Sequence, residues 1–177
     1  MEKRVNLLPF ITVDGIPTFA DSEILGLYER MELDGTAPVV FSDGEIREAK
    51  GFLSAMKSGL NALYVIYVDE EESGIIWLNR FEARFARCHW CLFSNQWGEQ
   101  SIAIGTETLR IIISIKDQNE NFMWDMLMGI VPSSNKRAVE YCEKCGGAIS
   151  GEIPFASMSE GKSVNGTIIY YTREGEI

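Results

Sequence analysis

The stretch between Ala62 and Phe93 constrains the fold most, because it carries three runs rich in β-branched and aromatic residues with no room between them for a crossover helix. Residues 62–68 make the first run. The polar Asp69-Glu70-Glu71-Glu72-Ser73-Gly74 reads as an acidic turn, residues 75–81 as the return strand, and residues 83–93 as a third strand. Parallel strands need a connection of about a dozen residues or more, so this order predicts an antiparallel meander.

The flanking segments alternate between helical and extended patterns. Ile24, Leu25, Leu27, Tyr28 and Met31 recur at helical spacing within residues 21–33, with Asp21 or Ser22 available as N-cap. A second helix is predicted after Ser42-Asp43-Gly44, with Ile46, Ala49, Phe52, Leu53 and Met56 on one face and an end at Ser58-Gly59. Residues 99–115 are read as a third helix, since Ile102, Leu109, Ile112 and Ile113 share a face and the segment is too long for one strand. The apolar run 122–131, closed by Pro132, reads as a strand buried on both faces. Ser133-Ser134-Asn135 then caps a helix through Cys145, which Gly146-Gly147 ends. Residues 148–156 and 167–172 read as final strands separated by a polar loop at 157–166. The expectation is a single mixed α/β domain spanning residues 1–177, with a mostly antiparallel sheet flanked by helices. A ligand is expected in the unit from strand 83–93 to helix 135–145, where splayed strand ends lie beside a helix N-terminus.

Charge narrows the partners. Sixteen Lys and Arg against 26 Asp and Glu give a formal net charge of −10, which repels nucleic-acid phosphates and argues against a nucleic-acid partner. No apolar run approaches the roughly 20 residues needed to span a bilayer, and residues 1–13 lack a signal-peptide pattern, so the expectation is a cytoplasmic protein with no membrane partner.

The segment Gly129-Ile130-Val131-Pro132-Ser133-Ser134-Asn135-Lys136-Arg137-Ala138, continuing through Glu143-Lys144-Cys145-Gly146, resembles the C-terminal signature of the GNAT superfamily of N-acetyltransferases. The resemblance rests on a buried strand, a capping Asn, an Ala one turn later, and Glu-Lys-x-Gly before an outgoing strand. Residues 88–93 followed by Asn95-Gln96-Trp97-Gly98-Glu99-Gln100 resemble the fourth strand, Trp-Gly element and third helix of the ribosomal-protein type of these enzymes. The resemblance implies acetyl-CoA as co-substrate and an amine as acceptor. It places the coenzyme beside Leu92, Phe93, Gly98, Gln100, Ser101 and Asn135, with a backbone N–H near Leu92 and Phe93 as oxyanion donor. Two departures stand out: Gly98 is the one glycine of a loop that is glycine-rich in the family, with the carboxylate of Glu99 beside it, and Cys142 aligns with the family's thiolate-protonating Tyr, so that Cys142 or the adjacent Tyr141 would be the acid. For the base, the candidates are His89, the sole histidine, and Asp125, whose apolar neighbours Trp124 and Met126 predict a raised pKa.

Two other readings compete. Cys88-His89-Trp90-Cys91 and Cys142-Glu143-Lys144-Cys145 are the right ligand types for zinc. Residues three apart in an extended segment face opposite ways, however, and the second pair lies in a helix, so ordinary buried thiols and no metal are the expectation. The altered loop also fits a catalytically inactive acetyltransferase-like binding or assembly module, as in phage head-assembly type proteins. A homodimer formed through a sheet edge is possible on either reading.

Overall fold

The computed structural model describes residues 3–173. The chain begins with β1 (Val5–Pro9), which the sequence reading did not anticipate, and a small hairpin of β2 (Thr12–Val13) and β3 (Ile16–Pro17). Three helices follow: α1 (Asp21–Leu33), the single turn α2 (Ala37–Val40) and α3 (Ala49–Lys57). The meander is β4 (Ala62–Val68), β5 (Glu71–Glu82) and β6 (Phe85–Leu92), then α4 (Gln100–Ile113), β7 (Met126–Pro132), α5 (Lys136–Lys144), β8 (Ala148–Ser159) and β9 (Lys162–Thr172). Seven strands form one sheet in the order β1-β4-β5-β6-β7-β9-β8. Every neighbour pair is antiparallel except β6 and β7.

Each face of the sheet buries its own core. Ile66, Ile76, Leu78, Cys88 and Leu92 pack with Ile104, Leu109 and Ile112 of α4 and Cys142 of α5. On the other face Leu63, Val65, Ile75, Trp77 and Phe93 pack with Ile24, Leu27 and Met31 of α1 and with Phe52 and Met56 of α3. Alternation along the strands therefore divides their apolar side chains between two layers, as a sheet covered on both faces requires.

Several boundaries differ from expectation for identifiable reasons. The acidic turn shrinks to Asp69 and Glu70, both at positive φ, so Glu71, Glu72 and Ser73 already belong to β5. That is the geometry of a tight two-residue hairpin, whose twist matches the strands it joins. The polar loop expected at 157–166 is strand on both sides of a turn at Glu160-Gly161, because one face of this hairpin is solvated and needs no apolar alternation. The helix expected after Gly44 starts only at Ala49, and the N-cap position of α1 is Ala20, whose N–H donates to the Glu23 carboxylate at 2.6 Å. β7 is shorter than the run 122–131 and buries only Leu127, contrary to the expectation of burial on both faces. β8, not β9, is the free sheet edge on that side, and register shifts interrupt its pairing.

Candidate active site

β6 and β7 pair in parallel over only Phe85–Met126, Ala86–Leu127 and Arg87–Met128, and beyond those three pairs no ladder joins them. This split is why β7 is half-exposed. Both strands run toward the open end, so the loop into α4 and the N-terminus of α5 lie there together. Asn135 Oδ1 accepts the Ala138 N–H at 3.1 Å and so caps α5. No side chain caps α4, which leaves first-turn N–H groups available to an anion, and Gly98 precedes it at φ +103°. The Ser101 hydroxyl donates to the Gly98 carbonyl at 2.7 Å and thereby holds the turn, while Glu99 is exposed.

Of the two expected oxyanion donors, Phe93 is corrected: its N–H is spent on the Ser73 carbonyl at 2.8 Å. Successive N–H groups of a strand point to opposite sides, so the Leu92 N–H is directed toward the gap. The Leu92 carbonyl accepts the indole N–H of Trp97 at 2.9 Å.

On the α4–α5 face, the Tyr141 ring stacks on Trp90 with centroids 5.2 Å apart, and its hydroxyl donates to the Ser101 carbonyl at 2.9 Å. A Cβ on Gly105 would stand 2.4 Å from the Trp90 ring and 2.7 Å from Cys145 Sγ, so this helix reaches the sheet only with glycine there. Cys142 is buried in the core, where burial raises its thiol pKa. Tyr141 rather than Cys142 therefore presents a polar atom near the open end. Burial also raises the Tyr141 pKa, so its hydroxyl is a hydrogen-bond donor and not a ready proton source.

His89 lies on the opposite face, over a cavity of about 230 Å³ that Asp43, Arg87, Ile130, Pro132 and Phe155 also line. Its ring stacks on Trp77, with centroids 4.9 Å apart and planes within 9°. A hydrogen-bond chain fixes its tautomer. The Ala55 carbonyl can only accept, so it takes the Asn61 amide N–H at 3.0 Å. Asn61 Oδ1 then accepts from Asn79 Nδ2 at 3.2 Å, which turns Asn79 Oδ1 toward His89 Nε2 at 3.2 Å. Nε2 must therefore carry the proton, and Nδ1 is the basic nitrogen. Burial, and secondarily the charge of Arg87, lower the His89 pKa to about 4, so the ring is neutral at physiological pH.

Asp125 overturns the expectation of a raised pKa. It is at the closed end of the β6–β7 pair, just before β7, where Arg84 grips both oxygens at 2.5 and 2.8 Å and Arg173 adds a contact at 2.8 Å. These bonds, that of Arg84 first, hold the carboxyl well below the usual range. An Asp125→Asn variant should keep full turnover. Its stability deficit against wild type should be present at pH 7 and shrink as the pH falls below the ordinary carboxylate pKa, as paired thermal melts would show.

The paired cysteines do not converge. Cys88, Cys142 and Cys145 belong to the α4–α5 core and Cys91 packs against the other, all four as free thiols, with burial pushing Cys88, Cys91 and Cys145 up to about 12. Among the described residues no group of three or more His, Cys, Asp or Glu side chains could hold a metal ion.

No protein-family model and no curated protein matches the sequence. Solved structures do match in shape. A ribosomal-protein alpha-N-acetyltransferase, RimL, superposes with a TM-score of 0.69 at 14% identity, over 95% of this chain and 94% of its own. The aminoglycoside acetyltransferase AAC(6')-Ib, in complex with coenzyme A, gives 0.66 at 14% identity over 96% and 95%. A SpeG spermidine N-acetyltransferase from Vibrio cholerae gives 0.64 at 11% over 95% and 93%. The fold is that of the GNAT acetyltransferases. In this GNAT-like domain, the residues that sequence reasoning missed are Arg87, Asn79 and Asp43. Their only signal was period-two spacing from His89 along β6, which gives Arg87, while Asn79 and Asp43 come from β5 and the loop after α2.

Proposed function

We propose that the chain is an acyl-CoA dependent N-acetyltransferase acting on a small amine. The observation that carries this reading is the β6–β7 split, which has the starts of α4 and α5 at its open end and a cavity lined by a neutral histidine on the far face. Bound coenzyme A in related folds, such as that of AAC(6')-Ib, supports the assignment of acetyl-CoA as co-substrate. Acetyl-CoA, when bound, supplies an activated acyl group. The residues that would hold it are Leu92 in the split, Gly98, Gln100 and Ser101 at the start of α4, and Asn135 at the start of α5.

The chain's own groups divide the remaining work. The Leu92 N–H donates to the carbonyl oxygen as negative charge develops there. His89 Nδ1 takes the proton that the amine nitrogen sheds as its bond to carbon forms; that nitrogen is then far more acidic than a free ammonium, so a base titrating near pH 4 suffices. The Tyr141 O–H is given to the Ser101 carbonyl, so Tyr141 holds the start of α4 in place while the thiolate departs as its bond to carbon breaks.

Calorimetric titration with acetyl-CoA tests this directly. Binding near micromolar, about −8 kcal/mol, is expected. Absence of heat, together with no thermal stabilisation at millimolar ligand, would overturn the reading and point to a fold retained for partner binding.

A further inference from the structure

Arg87 differs from the arginines that hold ion pairs. Arg30, Arg84, Arg110 and Arg173 each rest on a carboxylate. Arg87 makes no such pair among the described residues, and its Nε is buried with no acceptor. A buried guanidinium N–H without a partner is costly, and in a chain of net charge −10 counter-charges are plentiful. The site compounds the cost, since Arg80, in the bulge between Asn79 and Glu82, brings a second positive charge close enough to act on Arg87.

The unpaired group lines the same small cavity as His89, with the Asp43 carboxylate also on its wall. Resting on the acetyltransferase reading above, we propose that Arg87 binds a carboxylate of the acceptor, which makes the acceptor an α-amino acid and not a polyamine. Asp43 then complements the ammonium group, and His89 faces the nitrogen that reacts. A polyamine entering here would meet the guanidinium with like charge, whereas a carboxylate supplies the counter-charge that the guanidinium lacks. The volume, about 230 Å³, suits a molecule of amino-acid size.

The test needs no turnover. Ligand-observed NMR, without acetyl-CoA, compares the standard α-amino acids at millimolar concentration with their α-carboxamides. At least one amino acid should bind on the order of tenfold more tightly than its amide. Arg87→Gln should abolish that preference, and Arg87→Lys should keep part of it. The proposal is overturned if no amino acid binds, if acid and amide bind equally, or if the preference survives in Arg87→Gln. Displacement by inorganic phosphate at equal concentration would reduce the site to a general anion site and also overturn it. Should Arg87→Gln fail to fold, the wild-type comparison of acid with amide still decides. Because acetyl-CoA is absent, a carboxylate preference beside a silent acetyl-CoA titration would refute acetyl transfer while leaving the carboxylate site standing.

Discussion

Replacing His89 with Gln lowers kcat/KM for the acceptor by about 10²–10⁴-fold while leaving the affinity for acetyl-CoA unchanged. The loss should fall mainly on kcat, because in the proposed mechanism the ring takes a proton only as the amine reacts. The pH profile supplies a second readout. The His89 pKa is near 4, so wild-type turnover should show no inflection near pH 6.5, and its rise above neutrality should report the loss of a proton from the acceptor's ammonium group instead. Stability moves with pH as well. Between about pH 4 and 6.5 the unfolded chain binds a proton at this residue and the folded chain does not, so stability falls as the pH drops through that window. Denaturant melts of wild type should show this slope, at most about 1.4 kcal/mol per pH unit, and those of His89→Gln should not. An unchanged kcat in the variant would remove His89 from the chemistry.

Replacing Trp77 with Ala should cost about 3–5 kcal/mol, the range for truncating a buried aromatic side chain. Trp77 is 4% exposed and is the centre of a run of rings: it stacks on Phe41 at 5.5 Å and on His89 at 4.9 Å, and Phe41 in turn meets Phe52 at 5.9 Å. The truncation thus opens a cavity beneath Phe41 and frees the face of the His89 ring at once. For a chain of this size the melting temperature should fall by roughly 6–20 °C, and the residual activity of the folded fraction should fall too. Trp77→Phe should recover most of both. If Trp77→Ala lowered stability while the folded protein kept full kcat, the stack would be packing alone, and the Asn61–Asn79 chain would hold His89 without it.

Much of the fold was legible because its strongest signals are local. The β-rich runs at residues 62–93 had no length for crossovers, α1 carried its own helical period, and Asn135 sat where a cap must. The misread boundaries are those where one face of an element is solvated. β8 and β9 lack apolar alternation, and the acidic start of β5 looks like a turn, because edge and surface strands need not bury both faces. Asp125 was misjudged for a related reason. Its sequence neighbours are apolar, but its spatial neighbours are Arg84 and Arg173, 41 and 48 residues away. A pKa follows the spatial environment, which adjacency in sequence does not give.

The sequence alone determined the long helices, the meander, the capped helix after β7 and the resemblance to acetyltransferases, since each of these rests on propensity or spacing within a few turns of chain. Only the tertiary structure decided which groups can do chemistry. Phe93 lost its donor to a neighbouring strand, Cys142 vanished into the core, and a carbonyl in α3 set the tautomer of His89 through two amides. Hydrogen-bond partners, burial and charge are properties of the assembled space, and they are fixed only when residues far apart in the chain are brought within a few ångströms.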